Sequence, residues 1–290
     1  TDSTLVPLAL VLDNLGTPIA AITDDINGTN RSETTPDMGA IEFSVSGSPL
    51  SGSYTVGTGG DFATLNSVGV SLLSLGVSGP VIFNILAGTY DEPVSLGQVY
   101  GASATNTVTF QSADANADSV IWENTQNSSI TNYVLKLNGT DHIILKNITF
   151  KSLGTSYSQK LVLFGVTDSV TIDSSKFLGY QGGSSPNHAT IYGSGADAEG
   201  LKIKNNTFNN SGNYAIHLFS NNSSSPPTGL EISGNTFTDT HQGIYVYYFD
   251  AVTIRNNTIT GSYFSDKGIW LNYCDGANVI EDNTIYAPSL

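Results

Sequence analysis

A short alternating segment recurs six times in the second half of the chain, and it is the feature that most constrains the fold. The six copies are ILKNITF, TIDSSKF, KIKNNTF, EISGNTF, TIRNNTI and VIEDNTI, which end at Phe150, Phe177, Phe208, Phe237, Ile259 and Ile285. Successive copies lie 27, 31, 29, 22 and 26 residues apart. A period of this length with a short strand in each unit is typical of a β-solenoid, whose units bury their apolar faces only against their neighbours.

A second short apolar segment precedes each copy. These segments are VLKL (134–137), LVLF (161–164), ATIY (189–192), AIHL (215–218), GIYV (243–246) and GIWL (268–271). Two or three short strands per unit, separated by turn residues, describe one coil of a β-helix. The sequence therefore predicts an all-β chain folded as a right-handed parallel β-helix, and alternation within the strands predicts four inward residues. They are Ile191, Ile216, Ile244 and Ile269.

Two further columns of residues are predicted inside the coils. The first is a stack of rings formed by Phe150, Phe177, Phe208 and Phe237. The second lies two residues earlier in each copy and reads Ile148, Ser175, Asn206, Asn235, Asn257 and Asn283. Four successive Asn at one inward-turning corner predict an asparagine ladder, in which each amide bonds to the backbone and to the next amide. These four residues are accordingly predicted to be structural and not ligand contacts.

The chain divides into three parts. Residues 57–290 carry the β-helix pattern, with coils over 81–290, whereas residues 45–56 read as a Ser/Gly-rich linker and residues 1–44 lie outside the repeat. At the start of the β-helix, apolar residues at roughly helical spacing predict a capping helix at about 61–75, with Asp61 at its N-cap and Gly76 at its end. Such a helix would cover the open edge of the first coil.

Two motifs resemble those of secreted bacterial β-helix repeat proteins of the Bacteroidetes type. Residues 24–28 (DDING) with 36–43 (PDMGAIEF) resemble a segment that closes a β-helix in that family, and 60–65 (GDFATL) with 87–90 (AGTY) resemble one that opens it. Here the closing motif comes first. The resemblance therefore implies that residues 1–44 are the terminal coil of a preceding module. It also implies that adjacent β-helix modules of one long chain are the partners, as in giant cell-surface adhesins, and that the protein is extracellular, at the bacterial surface.

Composition excludes several classes of function. The net charge is −15 and only 12% of residues are charged, so the basic stripe that a nucleic-acid binder needs is absent. No apolar run approaches 18 residues, which argues against membrane insertion. The single cysteine, Cys274, cannot form an internal disulfide and is predicted to be an unreactive core or turn residue.

An enzyme on this scaffold would need a specific cluster of side chains. Hydrolases that act on polysaccharides use paired carboxylates, and lyases need Lys or Arg as base, usually with acidic calcium ligands. Four aspartates recur once per coil, but each lies in a turn, where an Asx role is the simpler explanation. They are Asp141, Asp168, Asp250 and Asp275. The sequence therefore predicts a non-enzymatic structural or adhesive module, with a polysaccharide lyase or glycoside hydrolase as the alternative.

One loop raises the question of a metal. Asp24-Asp25-Ile26-Asn27-Gly28 resembles an oxygen-rich calcium loop, with Asp24 and Asn27 as its candidate ligands. An Asx turn without a metal is the alternative. No other cofactor is predicted.

The clearest functional signal lies on the outward side of the second strands. Their alignment predicts one outward column of Lys136, Leu163, Tyr192, His217, Tyr245 and Trp270, and a neighbouring column of Phe219, Tyr247 and Asn272. Aromatic rings along an extended polar face suit stacking against sugar rings. Seven of these residues are the predicted glycan contacts: Tyr192, His217, Phe219, Tyr245, Tyr247, Trp270 and Asn272. The alternatives are that the rings only stabilise the sheet, or that a partner covers them.

Overall fold

The chain folds as a parallel β-solenoid, which confirms the predicted architecture. The computed structural model describes residues 9–180, 185–261 and 267–286. Within them, every pairing between neighbouring strands of the solenoid is parallel, and the strands line up in three sheets that run along the axis. Each coil contributes one strand to each sheet, so residues one coil apart in sequence become neighbours in space.

Sheet 1 has nine strands: β1 (Leu50–Val56), β2 (Val77–Ile85), β5 (Val108–Ser112), β8 (Ile143–Lys146), β11 (Thr171–Asp173), β14 (Lys202–Lys204), β17 (Glu231–Ser233), β20 (Thr253–Arg255) and β23 (Val279–Glu281). Sheet 2 has eight: β3 (Gly88–Asp91), β6 (Val120–Glu123), β9 (Thr149–Lys151), β12 (Lys176–Leu178), β15 (Thr207–Asn209), β18 (Thr236–Thr240), β21 (Thr258–Gly261) and β24 (Thr284–Tyr286). Sheet 3 has seven: β4 (Val94–Leu96), β7 (Leu135–Asn138), β10 (Leu161–Phe164), β13 (Ile191–Ser194), β16 (Tyr214–Phe219), β19 (Gln242–Tyr247) and β22 (Lys267–Asn272).

The predicted phenylalanine column runs through the middle of the core. Phe150, Phe177, Phe208 and Phe237 are fully buried and stack with ring centroids 5.2, 4.8 and 4.6 Å apart. Trp122 continues the column below Phe150 at 5.7 Å. Of the predicted inward isoleucines, Ile191, Ile216 and Ile244 are buried and Ile269, in the last strand of sheet 3, is partly buried.

The asparagines of the repeat form a continuous hydrogen-bonded ladder between sheets 1 and 2. The Nδ2 atoms of Asn206, Asn235 and Asn257 donate to Oδ1 of the next asparagine at 3.0, 3.0 and 2.9 Å, and the ladder ends at Asn283. Each Oδ1 also accepts the backbone N–H of the preceding asparagine. Ser175 precedes the ladder and donates its N–H to Asn206 Oδ1 at 2.9 Å. Buried amides at this bend are thereby satisfied.

The residue before each ladder position turns the chain. Its φ is positive in every repeat, between 51° and 66°, at Asn147, Ser174, Asn205, Gly234, Asn256 and Asp282. Asparagine and glycine tolerate this left-handed conformation better than other residues do. The recurring NNT therefore has two separate reasons for its two asparagines: the first turns the backbone and the second enters the ladder.

The capping helix exists but begins later than predicted. Helix α1 spans Leu65–Leu75, its N-cap is Thr64, and Thr64 and Ser67 bond each other's backbone as a capping box. Asp61 is not the N-cap: its carboxylate accepts the N–H and the hydroxyl of Thr55 at 2.7 and 2.8 Å. Leu65, Val68 and Leu72 are buried. The helix lies against β4, the first strand of sheet 3. Gly69 faces this strand so closely that an added Cβ would lie 3.3 Å from the side chains of Val94 and Leu96. The helix therefore covers that edge.

The predicted linker at 45–56 is wrong for most of its length. Residues 50–56 form β1, which pairs with β2 and begins sheet 1, and Leu50 and Val56 are buried in the core. Its polar composition misled the prediction, because only the ends of this first, outermost strand face the core.

Residues 9–49 are held by carboxylates. Asp13, Asp25 and Asp37 are nearly buried and accept backbone N–H groups, including those of Val45, Glu42 and Phe43 respectively. Within residues 9–44 the structure has a 3₁₀ turn at Leu10–Leu12 and an antiparallel bridge between Asp24 and Asn30, and it has no strand of a solenoid coil. That this segment closes a preceding module stays a prediction.

One charged side chain lies in the interior. Lys160 is fully buried at the corner between sheets 2 and 3, and its Nζ has no hydrogen-bond partner. A Cβ at Gly179 would lie 3.1 Å from this Nζ, so the missing side chain makes room for the amine. Burial lowers the pKa of Lys160 from 10.5 to about 7, because the charged form loses its hydration.

Candidate functional site

The outward side of sheet 3 carries a row of aromatic residues. Tyr192 pairs with His217, His217 with Tyr245, and Tyr245 with Trp270, so the four occupy one position in consecutive coils. The predicted column is wrong at Leu163, which is buried: Val162 takes that position, between Lys136 and Tyr192. The predicted register of β10 was wrong by one residue. A shift of one residue reverses the side of the sheet that each side chain faces.

The rings of this row pack on each other. Centroids are 5.5 Å apart for Tyr192 and His217, 5.0 Å for His217 and Tyr245, and 4.3 Å for Tyr245 and Trp270. The last two pairs are stacked, and Lys267 Nζ lies 3.3 Å from the centroid of the Trp270 ring. Because the ring faces cover one another, the row presents edges and hydroxyl groups to solvent more than open faces.

Tyr214 also belongs to this surface, and the sequence did not reveal it. Its ring lies 4.5 Å from that of His217 and 5.7 Å from that of Tyr245. Burial among these rings lowers the pKa of His217 to about 4, and its Nδ1 is buried without a hydrogen-bond partner. His217 is therefore neutral at physiological pH and acts as a ring of the stack. We call Tyr192, Tyr214, His217, Phe219, Tyr245, Tyr247 and Trp270 the aromatic face.

A second row lies beside the first. Phe219 pairs with Tyr247 and Tyr247 with Asn272, as predicted, and the rings of Phe219 and Tyr247 stack at 4.9 Å. The row of rings ends there, because Asn272 brings an amide in place of a ring. The structure thus places all seven predicted glycan contacts on one side of sheet 3, in four consecutive coils.

Two tyrosines after the strands extend this surface around the corner. Tyr248 and Tyr273 have rings 5.2 Å apart, and they lie 4.3 and 5.2 Å from Tyr247. We call Tyr247, Tyr248 and Tyr273 the tyrosine cluster. A hydrogen bond to Tyr248, followed by burial and the neighbouring phenols, raises the pKa of Tyr247 to about 12. Tyr247 is therefore uncharged at any physiological pH.

The backbone of this corner is unusual. Tyr248 and Tyr273 have φ values of 56° and 49°, whereas the corresponding corner in earlier coils has Gly139, Gly165 and Gly195 at 65° to 69°. A bulky residue in the left-handed region costs roughly 1–2 kcal/mol, which glycine avoids. Two neighbouring coils thus carry tyrosine at a position that favours glycine.

The aspartates that recur once per coil bridge adjacent coils. Asp141 accepts the N–H of Asp168, Asp168 that of Glu199, and Asp250 that of Asp275, at 2.8 to 2.9 Å. The predicted turn role is thus refined, because the carboxylate bonds to the next coil and not to its own turn. Burial raises the pKa of Asp168, with nearby carboxylates adding to the effect. These carboxylates stabilise the backbone of the next coil by accepting its N–H groups.

Three further side chains that could take part in chemistry are paired or made less reactive by burial. Arg255 pairs with Glu231 at 3.1 Å, and Lys151 with Glu123 at 2.7 Å. Cys274 is half-buried, and burial raises the pKa of its thiol, which makes it less reactive. None of these groups is placed as an activated base or nucleophile.

In the predicted calcium loop, the organising residue is Asp25. Its Oδ1 accepts the N–H groups of Asn27 and Thr29 at 2.7 and 2.8 Å, which is an Asx turn. Among the described residues, no three or more His, Cys, Asp or Glu side chains are arranged to hold a metal ion. Calcium binding stays a prediction.

Comparison with known proteins finds one family similarity, which covers the second half of the chain. The sequence profile of the NosD family, described as periplasmic copper-binding protein, matches residues 157–289. The match covers less than half of the 290 residues. It spans the coils that carry the asparagine ladder and the aromatic face. No curated protein matches the sequence.

Two solved structures of the pectin methylesterase from Aspergillus niger are among the structures similar to this chain. The penultimately deglycosylated form has 12% identity and a TM-score of 0.48, over 83% of this chain and 87% of that one. The deglycosylated form has 14% identity and the same TM-score of 0.48, over 79% and 87%. At this identity the likeness concerns the fold alone.

In the part of this chain that the structure describes, no helix is long and apolar enough to cross a membrane.

Proposed function

We propose that this chain is a non-enzymatic β-helix module of an extracytoplasmic protein, structural or adhesive in role, whose aromatic face binds carbohydrate. The observation that carries the proposal is the concentration of seven rings on the outward side of one sheet in four consecutive coils. Scattered surface aromatics need no explanation, but a contiguous and partly exposed face of them is typical of a binding surface.

The spacing of the face suits a polymer that follows the solenoid axis. Ring centroids in the main row are 4.3 to 5.5 Å apart, because each coil adds one strand spacing. A sugar residue is about as long as one such step, so successive rings of an oligosaccharide would meet equivalent positions. The phenol groups of Tyr192 and Tyr245 then offer hydrogen bonds to sugar hydroxyls, and the ring edges offer apolar contact.

No observation favours the alternative of a polysaccharide lyase or hydrolase. Hydrolysis of a glycosidic bond uses two carboxylates that flank it. Three of the recurring aspartates at the corner after sheet 3, Asp141, Asp168 and Asp250, each accept a backbone N–H of the next coil through Oδ1, which is a structural role. Copper binding is a property of the NosD family as described, and no cluster of donors among the described residues supports it here.

The proposal extends to the location of the protein and to its partners. The similarity to a periplasmic family, with the resemblance to bacterial surface proteins, supports a place outside the cytoplasm. Residues 9–44 share no strand with the sheets of the solenoid, as expected of a segment that serves a different module. We propose adjacent β-helix modules of a longer chain as the protein's partners.

A polysaccharide panel tests the proposal. The chain is incubated with neutral and uronic-acid polysaccharides, with and without calcium, and both binding and the release of reducing or unsaturated ends are measured. We expect binding without cleavage. A Tyr192→Phe/Tyr245→Phe variant keeps the stack and removes two hydroxyls, so it should bind about 1–3 kcal/mol more weakly while melting as the parent does. Cleavage of any polymer, or no binding at all, contradicts the proposal.

A further inference from the structure

The tyrosine cluster is built at a position where the fold prefers glycine. Tyr248 and Tyr273 adopt φ values of 56° and 49° at the corner after sheet 3, where three earlier coils have glycine. Bulky residues in a strained backbone conformation are retained where another contribution outweighs the strain, and they concentrate at functional sites. Tyrosine occupies this strained position in two neighbouring coils, directly beside the aromatic face.

Packing accounts for only part of this choice. The ring of Tyr248 packs against Tyr247 at 4.3 Å, but Tyr273 leaves 61% of its surface exposed. An exposed side chain contributes little to stability. The ring contacts of Tyr273 with Tyr247 and Tyr248, both at 5.2 Å, offset part of the backbone cost, and a contact with a ligand would offset more of it.

We infer that the tyrosine cluster, with Asn272 beside it, is the recognition subsite of the carbohydrate surface, and that its ligand is a neutral glycan. The inference rests on the proposed function and deepens it. Elsewhere on the aromatic face the ring faces cover each other, whereas Tyr273 presents an open ring to solvent. A phenol ring suits the apolar C–H side of a sugar, and the amide of Asn272 and the phenol groups suit its hydroxyls.

The charges around the cluster select a neutral ligand. Asp250 and Asp275 follow Tyr248 and Tyr273 by two residues, and Asp250 accepts the N–H of Asp275 at 2.8 Å. The whole chain carries a net charge of −15, which adds to the local negative potential. The cation on this strand, Lys267, lies at its other end, over Trp270. A uronate or sulfated polymer would thus meet repulsion at the cluster, whereas a neutral one would not.

A glycine substitution separates binding from stability at this corner. Tyr248→Gly/Tyr273→Gly gives both positions the residue that earlier coils use there, so the melting temperature should stay the same or rise. Affinity for a neutral polysaccharide that the parent binds, such as xylan, mannan or a β-glucan, should fall roughly tenfold or more. Tyr286→Ala is the matched control, because Tyr286 is 63% exposed but belongs to sheet 2. It should bind like the parent.

The outcomes distinguish this inference from the proposed function. If the parent binds none of the polymers, the proposed function itself fails. If the parent binds and the double glycine variant binds equally well, the function stands and the subsite is wrong. Preference for polygalacturonate or alginate over neutral polymers overturns the ligand class. A large drop in the melting temperature of the glycine variant shows that the tyrosines are there for packing, and overturns the inference.

Discussion

Asn206 donates its side-chain amide to Oδ1 of Asn235 at 3.0 Å, and Asn235 in turn donates to the backbone oxygen of Ile203 at 2.9 Å. The backbone N–H of Asn206 binds the same Oδ1 at 2.9 Å. Each ladder asparagine thus satisfies groups of the preceding coil that no water can reach. Stacked coils depend on such bonds at their bends, since the strands alone satisfy only the straight segments.

Removing one rung should therefore be costly. Asn235→Ala removes the acceptor of the backbone N–H of Asn206 and of one of its side-chain N–H groups, and it removes a donor to the oxygen of Ile203. Each buried group left unsatisfied costs about 1–3 kcal/mol. We expect the free energy of unfolding to fall by about 3 kcal/mol in urea titrations. Asn235→Ser should lose less, because Ser175 fills the same position one coil below the ladder. Asn66→Ala, at an exposed position in α1, serves as the control. Equal losses in Asn235→Ala and the control would contradict the role of the ladder.

The helix cap offers a second test, at the other end of the solenoid. Thr64 accepts the N–H of Ser67 at 3.0 Å, so Thr64→Ala should lower the free energy of unfolding by about 1 kcal/mol, and Thr64→Ser should leave it nearly unchanged. Chemical denaturation of the three proteins provides the measurement. An equal loss in both variants would mean that the methyl group of Thr64, and not its hydroxyl, stabilises the helix.

The aromatic stack should contribute to stability as well as to binding. Tyr245 lies between His217 at 5.0 Å and Trp270 at 4.3 Å, whereas Tyr192 makes one edge contact with His217. Aromatic pairs contribute about 0.5–1.5 kcal/mol each beyond burial. Tyr245→Ala should therefore destabilise the chain by about twice as much as Tyr192→Ala in denaturant titrations. A smaller effect at Tyr245 would show that the rings do not support one another.

The sequence was sufficient for the core and the ladder because both repeat with the coil. Phe208 and Asn206 are predictable from position alone, since four of the six copies have Phe at the first position and four have Asn at the second. The aromatic face was predictable in β16, β19 and β22 but slipped in β10, where Leu163 and Val162 are both apolar and the pattern could not separate inward from outward. A shift of one residue in the register reverses the side of the sheet that each side chain faces.

Other features required the coordinates. At the start of the five middle strands of sheet 3, from β7 to β19, two successive residues are buried, such as Ala215 and Ile216, because the chain turns there. Strict alternation fails at that point, and so Tyr214 was missed. The left-handed backbone of Tyr248 and Tyr273 had no signal in composition, because tyrosine is not a residue expected in that conformation. A comparison with Gly139 in the earlier coils, once aligned, could have found it.

Lys160 should make the stability of the solenoid depend on pH. Its pKa is about 7 in the folded chain and 10.5 when exposed, since burial disfavours the charged form. Above pH 10.5 both states are neutral and the lysine has no effect. As the pH falls toward 7, the unfolded chain takes up a proton that the folded chain does not, so the folded state loses stability. Below that pH the penalty is complete, on the order of 4 kcal/mol.

A Lys160→Met variant isolates this effect. Val134 occupies the aligned position one coil earlier, so an apolar side chain fits there. The variant should be more stable than the parent below pH 7, and the difference should shrink steadily toward pH 10.5. Burial, and then the charge of Lys160, lower the pKa of His188, which is present in both proteins, so the difference between their curves largely removes its contribution. Urea titrations from pH 6 to pH 10 measure the difference. Parallel stability curves across that range would mean that Lys160 stays protonated in the folded chain, with a partner for its charge.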